Sequence, residues 1–437
     1  MKTLIASAST TATLLGKSGH LPIKVNLVVE DGVITEISEQ PIEGDFGLVI
    51  DAQGLFLSPG LVDPQVHFRE PGMEYKENIE SGSRAAVKGG FTAVVSMPNT
   101  HPTADSAEVV EFMTNRSAQV GICKVYPTGA LSVSLAGQKL TDFNTLKQAG
   151  AVAITDDGKG VQNDHLFEQA MIAAQKIDLP ILDHSEDENW SQQGAIHDGQ
   201  VAKKFGIKGI KPESESLHVE RGCRMSESTG AHYHVLHVST QASIEAVKAA
   251  KARGVKVTVE VSPHHLLLCD EDIRINGDNL LDANWKMNPP LRSRMDRQAC
   301  QEALLDGTID AIATDHAPHS PAEKKQHIES APFGIIGLET AFPLIYTHFV
   351  KTGKLTISRC IDLMSKQAGA LFKLDSGRIE VGKTADLCLF DLAQPFEVDE
   401  AFFASKSKNS PFIGETLYGQ TRMTMTDGNI VYSNFSG

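Results

Sequence analysis

Histidine, aspartate and asparagine residues end most of the apolar runs in this 437-residue chain. The six endings are Val62-Asp63-Pro64-Gln65-Val66-His67, Met97-Pro98-Asn99, Ile154-Thr155-Asp156-Asp157-Gly158, Leu182-Asp183-His184, Leu236-His237-Val238-Ser239 and Ala313-Thr314-Asp315-His316. Burial of an isolated carboxylate or imidazole is unfavourable unless a partner compensates it, and one divalent cation can pair with several such groups. Imidazole nitrogen with carboxylate oxygen suits Zn²⁺ best, with Mn²⁺, Co²⁺ or Fe²⁺ as alternatives. The pattern therefore predicts a metal site that includes Asp157, His184, His237 and Asp315.

These residues can meet if parallel strands bring their carboxyl ends to one rim. We predict eight strands, mostly continuous apolar runs typical of parallel strands covered on both faces, at Gly54–His67, Phe91–Met97, Ile122–Ala130, Ala151–Asp157, Leu179–Ser185, Tyr233–Ser239, Val255–Val261 and Ile309–Asp315. Helical patterns lie between several of them, at Glu77–Lys88, Ala107–Ala118, Phe143–Gln148, Asp164–Lys176, Ser214–Thr229 and Gln241–Lys251. This alternation favours a (β/α)8 barrel over a doubly wound sheet, because no GxGxxG follows any strand.

The two ends of the chain have a different pattern. Residues 22–52 are typical of β-hairpins, with Asp31-Gly32 between two alternating strands, and the tail repeats this pattern at 385–391 and 425–432. We therefore predict an α/β chain in which a TIM barrel over residues 58–371 is flanked by a small β-sandwich-like domain. Residues 1–57 and 372–437 would form that domain together.

The composition narrows the class of protein. Forty Lys plus Arg against 55 Asp plus Glu give a net charge of −15, which argues against a nucleic-acid partner. No run approaches the roughly 18 apolar residues of a membrane span, and the first residues do not resemble a signal peptide. The six cysteines are scattered, without a CxxC pair, at Cys123, Cys223, Cys269, Cys300, Cys360 and Cys388. We expect reduced, mostly buried thiols in a cytoplasmic protein.

Eight short blocks of the sequence resemble the dihydroorotases of the amidohydrolase superfamily. They are Pro59–Gly72, Met97–Thr100, Thr155–Gly158, His237–Thr240, Val261–Leu266, Asn288–Arg292, Ala313–His319 and Pro332–Thr340, and they follow the order of the family. The resemblance implies a cyclic amide hydrolase that reversibly closes N-carbamoyl-L-aspartate to L-dihydroorotate in pyrimidine biosynthesis. It also implies a homodimer, and an association with aspartate transcarbamoylase is a further expectation.

The resemblance also implies which residues bind the metal. One or two Zn²⁺ ions would be held by His67, Asp157, His184, His237 and Asp315. Many relatives use a carboxylated lysine as the bridging ligand, whereas Asp156-Asp157-Gly158 resembles the branch that uses an aspartate. Zn²⁺ lowers the pKa of bound water towards 7, and we expect Asp315 to carry the water's proton to the leaving nitrogen.

Four further residues are candidates for binding the substrate, which is an anion. Arg69 offers a planar fork that matches a carboxylate, and we expect Asn99 and His319 to complete this clamp. Asn288 and the loop 332–334 would bind the amide edges of the ring. Allantoinases and dihydropyrimidinases are the nearest rival enzymes, but their substrates lack the carboxylate that Arg69 would bind.

Gln65 departs from the family pattern, in which the first strand carries His-x-His. Glutamine offers only a neutral oxygen or a hydrogen bond, and Zn²⁺ favours nitrogen and anionic oxygen. Gln65 could be a weak ligand or lie behind the ligands, the site could hold one tightly bound metal, or the chain could be an inactive partner of aspartate transcarbamoylase. We expect an active enzyme, because a decaying site should have lost more than this one residue.

Overall fold

The computed structural model describes residues 2–19 and 21–435. The strands are β1 Lys2–Thr11, β2 Pro22–Glu30, β3 Val33–Ser38, β4 Leu48–Asp51, β5 Phe56–Pro59, β6 Leu61–Val66, β7 Phe91–Ser96, β8 Lys124–Pro127, β9 Gly129–Ala130, β10 Ile154–Thr155, β11 Ile181–Asp183, β12 Ile196–His197, β13 Gly209–Ile210, β14 Tyr233–Val235, β15 Val257–Val261, β16 Ala311–Ile312, β17 Leu387–Asp391, β18 Phe396–Glu397, β19 Thr416–Leu417, β20 Gln420–Thr426 and β21 Asn429–Ser433. The α-helices are α1 Ile79–Lys88, α2 Ala107–Val120, α3 Phe143–Ala149, α4 Asp164–Lys176, α5 Glu188–Ser191, α6 Gln200–Phe205, α7 Glu213–Thr229, α8 Gln241–Ala252, α9 Pro263–Leu267, α10 Arg294–Asp306, α11 Pro321–Lys324, α12 Ala341–Ile345, α13 Ile357–Leu363 and α14 Lys366–Leu371.

Parallel strands alternate with helices through the centre of the chain. Parallel pairs join β6 to β7 and β7 to β8, and a second series runs from β9 through β10, β11, β14 and β15 to β16. Several of the helices begin at a side-chain cap, such as Asn163, which accepts from the backbone N–H of Leu166 at the start of α4. The predicted α/β barrel architecture is confirmed by this order.

The last barrel strand lies beside the first. A parallel bridge joins Val66 to His316, and the backbone N–H of His67 donates to the carbonyl of His316 at 2.8 Å. Below this bridge the buried carboxylate of Asp63 accepts from the Thr314 hydroxyl at 2.5 Å and from its N–H at 3.1 Å. These bonds fix the position of His67 relative to Asp315, two residues that come from distant parts of the sequence.

The observed barrel strands are shorter than the predicted ones, and two predicted strands, Gly54–His67 and Ile122–Ala130, are each divided between two sheets. The continuous apolar run Gly54–His67 forms β5 and then β6, which belong to different sheets. Gly60 separates the two strands, and a Cβ there would lie 2.2 Å from Oγ1 of Thr92. The apolar pattern could not locate this break, because both strands are buried on both faces.

Strands from both ends of the chain form one eight-stranded sheet. Its order is β21-β20-β17-β5-β1-β2-β3, with β4 paired to β1. The hairpin pattern is confirmed at two of its three segments, since β2 pairs with β3 around Asp31-Gly32 and β20 pairs with β21 around Asp427-Gly428. The third segment, 385–391, forms the single strand β17, which pairs with β5 and β20. The prediction of a β domain built from both termini is therefore confirmed as well.

The sheet packs against the barrel through alternating residues of β17. Leu387 and Leu389 lie in the core of the sheet, whereas Cys388 and Phe390 lie in the core of the barrel. The ring of Phe390 stacks on Phe342 of α12 with centroids 3.9 Å apart. One strand thus contributes to both hydrophobic cores. No helix in the described part of the chain is long and apolar enough to cross a membrane.

Candidate active site

A cavity of about 200 Å³ lies at the carboxyl ends of the barrel strands. Its walls are His67, Arg69, Asn99, Asp157, Gly158, His184, His237, Asn288, Asp315, Ala317, His319, Phe333 and Gly334. The nine residues predicted to bind metal or substrate are therefore brought together from separate strands and loops. Gln65 is not part of this wall.

Asp157 lies in the cavity wall between two sets of side chains. Its Oδ2 lies 3.3 Å from Nε2 of His67, which is also 3.1 Å from Oδ1 of Asp315. Its Oδ1 lies 3.4 Å from Nδ1 of His184 and 3.7 Å from Nε2 of His237. The carboxylate can therefore serve as a shared ligand between two metal positions.

The chemistry of these atoms fits a divalent metal. Ligand atoms of Asp157, His184 and His237 all lie within 4.8 Å of one another, and all three residues are buried. Nδ1 of His184 and Nε2 of His237 point at each other at 3.0 Å. Both oxygens of Asp157 are buried and accept no hydrogen bond from a described residue. Buried polar atoms without partners are rare, and a cation would satisfy this set.

Charge at the site is balanced by His184 and Glu186. Burial opposes protonation of His184, but the carboxylates of Asp157 and Glu186 raise its pKa to about 10. Burial also opposes ionisation of Glu186, but bonds from His184, Ser191 and Asn288 lower the pKa of that carboxyl to about 2. The protein thus holds a carboxylate against His184 on the side away from Asp157.

Arg69 places a buried positive charge in the cavity wall. Its Nε donates to the carbonyl of Pro318 at 3.4 Å, and no carboxylate in the described chain lies within salt-bridge distance of its guanidinium. Burial lowers the pKa of Arg69 to about 10, against the attraction of Asp315 and Asp157, so the side chain stays charged at neutral pH. A buried guanidinium without a carboxylate partner, beside a cluster of candidate metal ligands, is suited to an anionic ligand.

The side-chain amides of Asn99 and Asn288 each use one group to contact the site: Asn99 contacts His67, and Asn288 contacts Glu186, the partner of His184. Oδ1 of Asn99 accepts from Nδ1 of His67 at 2.8 Å, which leaves the Asn99 NH₂ group beside the cavity. Nδ2 of Asn288 donates to Glu186 at 2.7 Å, and its Oδ1 makes no hydrogen bond to a described residue. The two amides can therefore offer one donor and one acceptor to a ligand.

His319 lines the cavity with both ring nitrogens already bound to protein. Lys76 donates to Nδ1 at 3.2 Å, so Nε2 carries the hydrogen and donates to the carbonyl of Phe333 at 2.7 Å. Burial, with the nearby cations Arg69, Lys76 and Lys324, lowers the pKa of His319 far below its usual value. The ring is neutral and braces the wall at Phe333.

Two buried lysines hold the loop that carries Phe333. Nζ of Lys324 donates to the carbonyls of Lys286, Pro332 and Gly334, at 2.9 to 3.2 Å. Nζ of Lys286 donates to Glu329 and Ala331 and lies 4.2 Å from the centre of the Phe333 ring. Burial lowers the pKa of both amines, to about 7 for Lys324 and about 8 for Lys286.

Three residues of the site have left-handed backbone conformations that are unfavourable for side chains other than glycine. The φ angles are 62° at Arg69, 33° at His237 and 50° at Asp315. Each such residue is destabilising by about 1–3 kcal/mol and persists only where the surroundings impose it. The surrounding barrel rim therefore imposes these backbone conformations, which position the three side chains and lower the stability of the rim.

Gln65 lies below the cavity on β6, two residues before His67. The side chain is buried, and neither its oxygen nor its nitrogen has a hydrogen-bond partner among the described residues. Alternate residues of a strand face the same way, so Gln65 shares the face of His67. A buried amide left without partners is destabilising unless a ligand or ion completes it.

Sequence reasoning missed Glu186 and Lys76. Glu186 follows His184 by two residues. In an extended chain residues i and i+2 lie on the same side, so this spacing could have indicated that Glu186 lies beside His184. Lys76 precedes α1 and reaches His319, a contact between distant segments for which the sequence contains no local signal.

Two family descriptions match the chain. Residues 54–243 match the family described as Dihydro-orotase-like, and residues 222–432 match the amidohydrolase family. The chain is 49% identical to a dihydroorotase of Brevibacillus brevis over 96% of its own length and 98% of the relative's. It is equally identical to a dihydroorotase of Geobacillus kaustophilus, over 95% of this chain and 96% of that one.

Solved structures with the same fold include two hydantoinases. The L-hydantoinase (dihydropyrimidinase) of Arthrobacter aurescens matches with a TM-score of 0.85 and 24% identity, over 99% of this chain and 96% of that one. The D-hydantoinase (dihydropyrimidinase) of a Thermus species matches with a TM-score of 0.83 and 25% identity, over 100% and 96%. These likenesses establish the fold.

Proposed function

The chain belongs to the dihydroorotase family of amidohydrolases, and from this membership we propose that it catalyses the reversible cyclisation of N-carbamoyl-L-aspartate to L-dihydroorotate. The observation that carries the proposal is the buried Arg69, whose guanidinium has no carboxylate partner in the described chain and lines the same cavity as Asp157 and Asp315. An enzyme for a neutral cyclic amide has no need of this charge.

In the proposed reaction the chain's own groups bind the substrate and move one proton. Arg69 binds the substrate carboxylate, and Asn99 and Asn288 define the orientation of the ring. His319, whose two ring nitrogens are bound to Lys76 and Phe333, acts by holding the cavity wall in place. In the direction of ring opening, Asp315 accepts a proton from the attacking water and delivers it to the ring nitrogen as the C–N bond breaks. In ring closure the same carboxylate takes a proton from the ureido nitrogen and delivers it to the departing oxygen.

We propose Zn²⁺ as the metal, held by His67, Asp157, His184, His237 and Asp315. When bound, the metal would supply Lewis acidity and would lower the pKa of bound water towards 7. The donor set supports this assignment, because the two imidazole nitrogens beside Oδ1 of Asp157 are ligands that Zn²⁺ favours.

The two metal positions differ in the proposal because of Gln65. The position at Asp157, His184 and His237 binds tightly, and the position at His67, Asp157 and Asp315 binds weakly with Gln65 as a neutral ligand or neighbour. The unpartnered amide atoms of Gln65 support this difference. The chain would thus hold one metal ion tightly and a second one exchangeably.

Several further properties belong to the proposal. We place the enzyme in the cytoplasm, supported by six cysteines that are all free and buried in the described chain. A homodimer and an association with aspartate transcarbamoylase follow from the family resemblance. The domain limits of residues 58–371 for the barrel and of 1–57 with 372–437 for the β domain are supported by the separate core of the terminal sheet.

Arg69→Ala tests the proposed substrate. Removal of one partner from a buried charge pair costs about 2–5 kcal/mol, so we expect kcat/KM for dihydroorotate to fall by roughly 30- to 5000-fold. Arg84→Ala is the matched control, because Arg84 is an exposed arginine of α1. The measurement is steady-state hydrolysis of dihydroorotate and, in parallel, of the neutral ring dihydrouracil. Equal kcat/KM values for wild type and Arg69→Ala would exclude the clamp, and faster turnover of dihydrouracil by wild type would favour a dihydropyrimidinase.

A further inference from the structure

Glu186 lies between a proposed metal ligand and a proposed substrate-binding residue. Its Oε2 is 3.2 Å from Nε2 of His184 and 2.7 Å from Nδ2 of Asn288. The side chain is about one-fifth exposed and does not line the cavity. Glu186 therefore acts on a ligand only through His184 and Asn288.

The two ring nitrogens of His184 have different surroundings. Nδ1 faces Oδ1 of Asp157 and Nε2 of His237, the atoms that would bind the metal. Nε2 faces Glu186 on the opposite side of the ring. A neutral imidazole carries one hydrogen, so a metal can bind Nδ1 only when that hydrogen is on Nε2.

A second hydrogen-bond donor competes for Nε2 of His184. Nδ2 of Asn288 lies 3.1 Å from that nitrogen and could donate to it if Nε2 carried no hydrogen. The hydrogen of His184 would then be on Nδ1, where it would block the metal. The carboxylate of Glu186 accepts from both groups and so removes this conflict.

Resting on the proposed function, we infer that Glu186 is a positioning residue that couples metal binding to substrate binding. It holds the hydrogen of His184 on Nε2, which frees Nδ1 for the metal. It also holds the NH₂ group of Asn288, which leaves Oδ1 of Asn288 free to accept from an N–H of the substrate ring.

Glu186→Gln tests this inference, because the amide has the shape of the carboxylate but presents an NH₂ group. We expect the Kd for Zn²⁺, measured by competition with a chelating dye, to rise about 10- to 100-fold. At saturating Zn²⁺ the variant should keep its kcat and show a raised KM for dihydroorotate, because only the orientation of Asn288 stays disturbed. Loss of a residue with a merely structural role would not weaken Zn²⁺ binding and raise KM while it left kcat at saturating Zn²⁺ unchanged.

Two controls keep the result interpretable. Glu188→Gln removes an exposed carboxylate two residues away and should leave the Kd for Zn²⁺ and the KM unchanged. Glu186→Asp keeps the negative charge on a shorter side chain and should give a Kd for Zn²⁺ between those of wild type and Glu186→Gln. This second variant also provides the test if Glu186→Gln folds poorly. Equal Zn²⁺ affinities in wild type, Glu186→Gln and Glu186→Asp would overturn the inference.

A wild-type protein that binds Zn²⁺ but does not turn over dihydroorotate would overturn the proposed function instead. In that case the Zn²⁺ affinities of the variants would still test the role of Glu186 in metal binding.

Discussion

At the scale of single residues, Asp157 presents each of its oxygens to a different pair of side chains. Oδ1 faces His184 and His237, and Oδ2 faces His67, which contacts Asp315. Gln65 lies on β6, the strand that ends directly before His67, so a change at Gln65 should affect the pair of His67 and Asp315. In the proposed arrangement of two metal positions, a change at Gln65 should therefore act mainly on the position at His67 and Asp315.

Gln65→His should strengthen the weaker position. A neutral amide is replaced by an imidazole, which Zn²⁺ favours, and we expect the Zn²⁺ retained after dialysis to rise from about one to about two ions per chain. Elemental analysis measures this content directly. Gln298→His, on the exposed face of α10, is the control for a histidine added elsewhere. Unchanged Zn²⁺ content in Gln65→His would contradict the proposed asymmetry.

The sequence was most informative about residues at the ends of strands. Asp157, His184, His237 and Asp315 each follow an apolar run, and parallel strands bring such positions to one rim. Glu186 escaped notice because its role depends on the path of the chain after β11. The engagement of both ring nitrogens of His319 was also beyond prediction, since it needs partners from two separate segments.

At the scale of elements, the loop 327–334 is held by amine groups and contains little regular structure. Lys324 and Lys286 donate to the carbonyls of Glu329, Ala331, Pro332 and Gly334. Gly334 has a φ of 129°, and a Cβ there would lie 2.6 Å from the Cβ of Ala317. The wall of the cavity at Phe333 and Gly334 thus depends on side chains behind it.

Lys324→Met should loosen this wall without affecting the metal. The change removes one donor from three carbonyls. The Lys286 carbonyl keeps the N–H of Gly334 and the Gly334 carbonyl keeps the amide of Asn409, but the described chain offers the Pro332 carbonyl no other donor. A buried unsatisfied group of this kind costs about 1–3 kcal/mol. We expect the KM for dihydroorotate to rise at least about tenfold, which corresponds to 1.4 kcal/mol, while the Zn²⁺ content stays that of wild type. The neighbouring Lys325 is exposed, and Lys325→Met should behave as wild type. A normal KM in Lys324→Met would show that the loop keeps its position without the amine.

The elements themselves were largely predictable, because continuous apolar runs and helical periodicity are local properties. Helix α4 was predicted at its observed limits, Asp164–Lys176. The division of Gly54–His67 into β5 and β6 was not predictable, since it is decided by which sheet each half pairs with. Pairing of this kind depends on residues far away in the sequence.

At the scale of the whole molecule, Glu339 connects the barrel to the segment that follows β18. Its carboxylate accepts from the backbone N–H of Ala404 at 2.5 Å and lies 3.9 Å from Nζ of Lys88. Burial raises its pKa to about 7, although these neighbours act in the opposite direction. Stability that depends on this carboxyl should therefore vary with pH.

Glu339→Gln should change how stability depends on pH. A carboxyl whose pKa is higher in the folded than in the unfolded state binds more protons when folded, so its contribution is greatest below pH 4.5 and is lost as the pH rises through 7. Between those values the wild type should lose about 3 kcal/mol relative to the variant. Urea unfolding at pH 5 and pH 8 measures the difference. Glu302→Gln, on the exposed face of α10, should track wild type, and parallel pH profiles of wild type and Glu339→Gln would contradict the assignment.

The pairing of β5 with β17 sets an order for events during synthesis. The ribosome makes β5 and then every barrel strand before it makes β17, the strand that covers the exposed edge of β5. During that interval β5 is paired on one edge only, with β1, and its other edge is open. Unpaired apolar edges are the sites where nascent chains aggregate. Translation speed and chaperone supply over the last part of the message should therefore govern the yield of this protein more strongly than they govern its final stability.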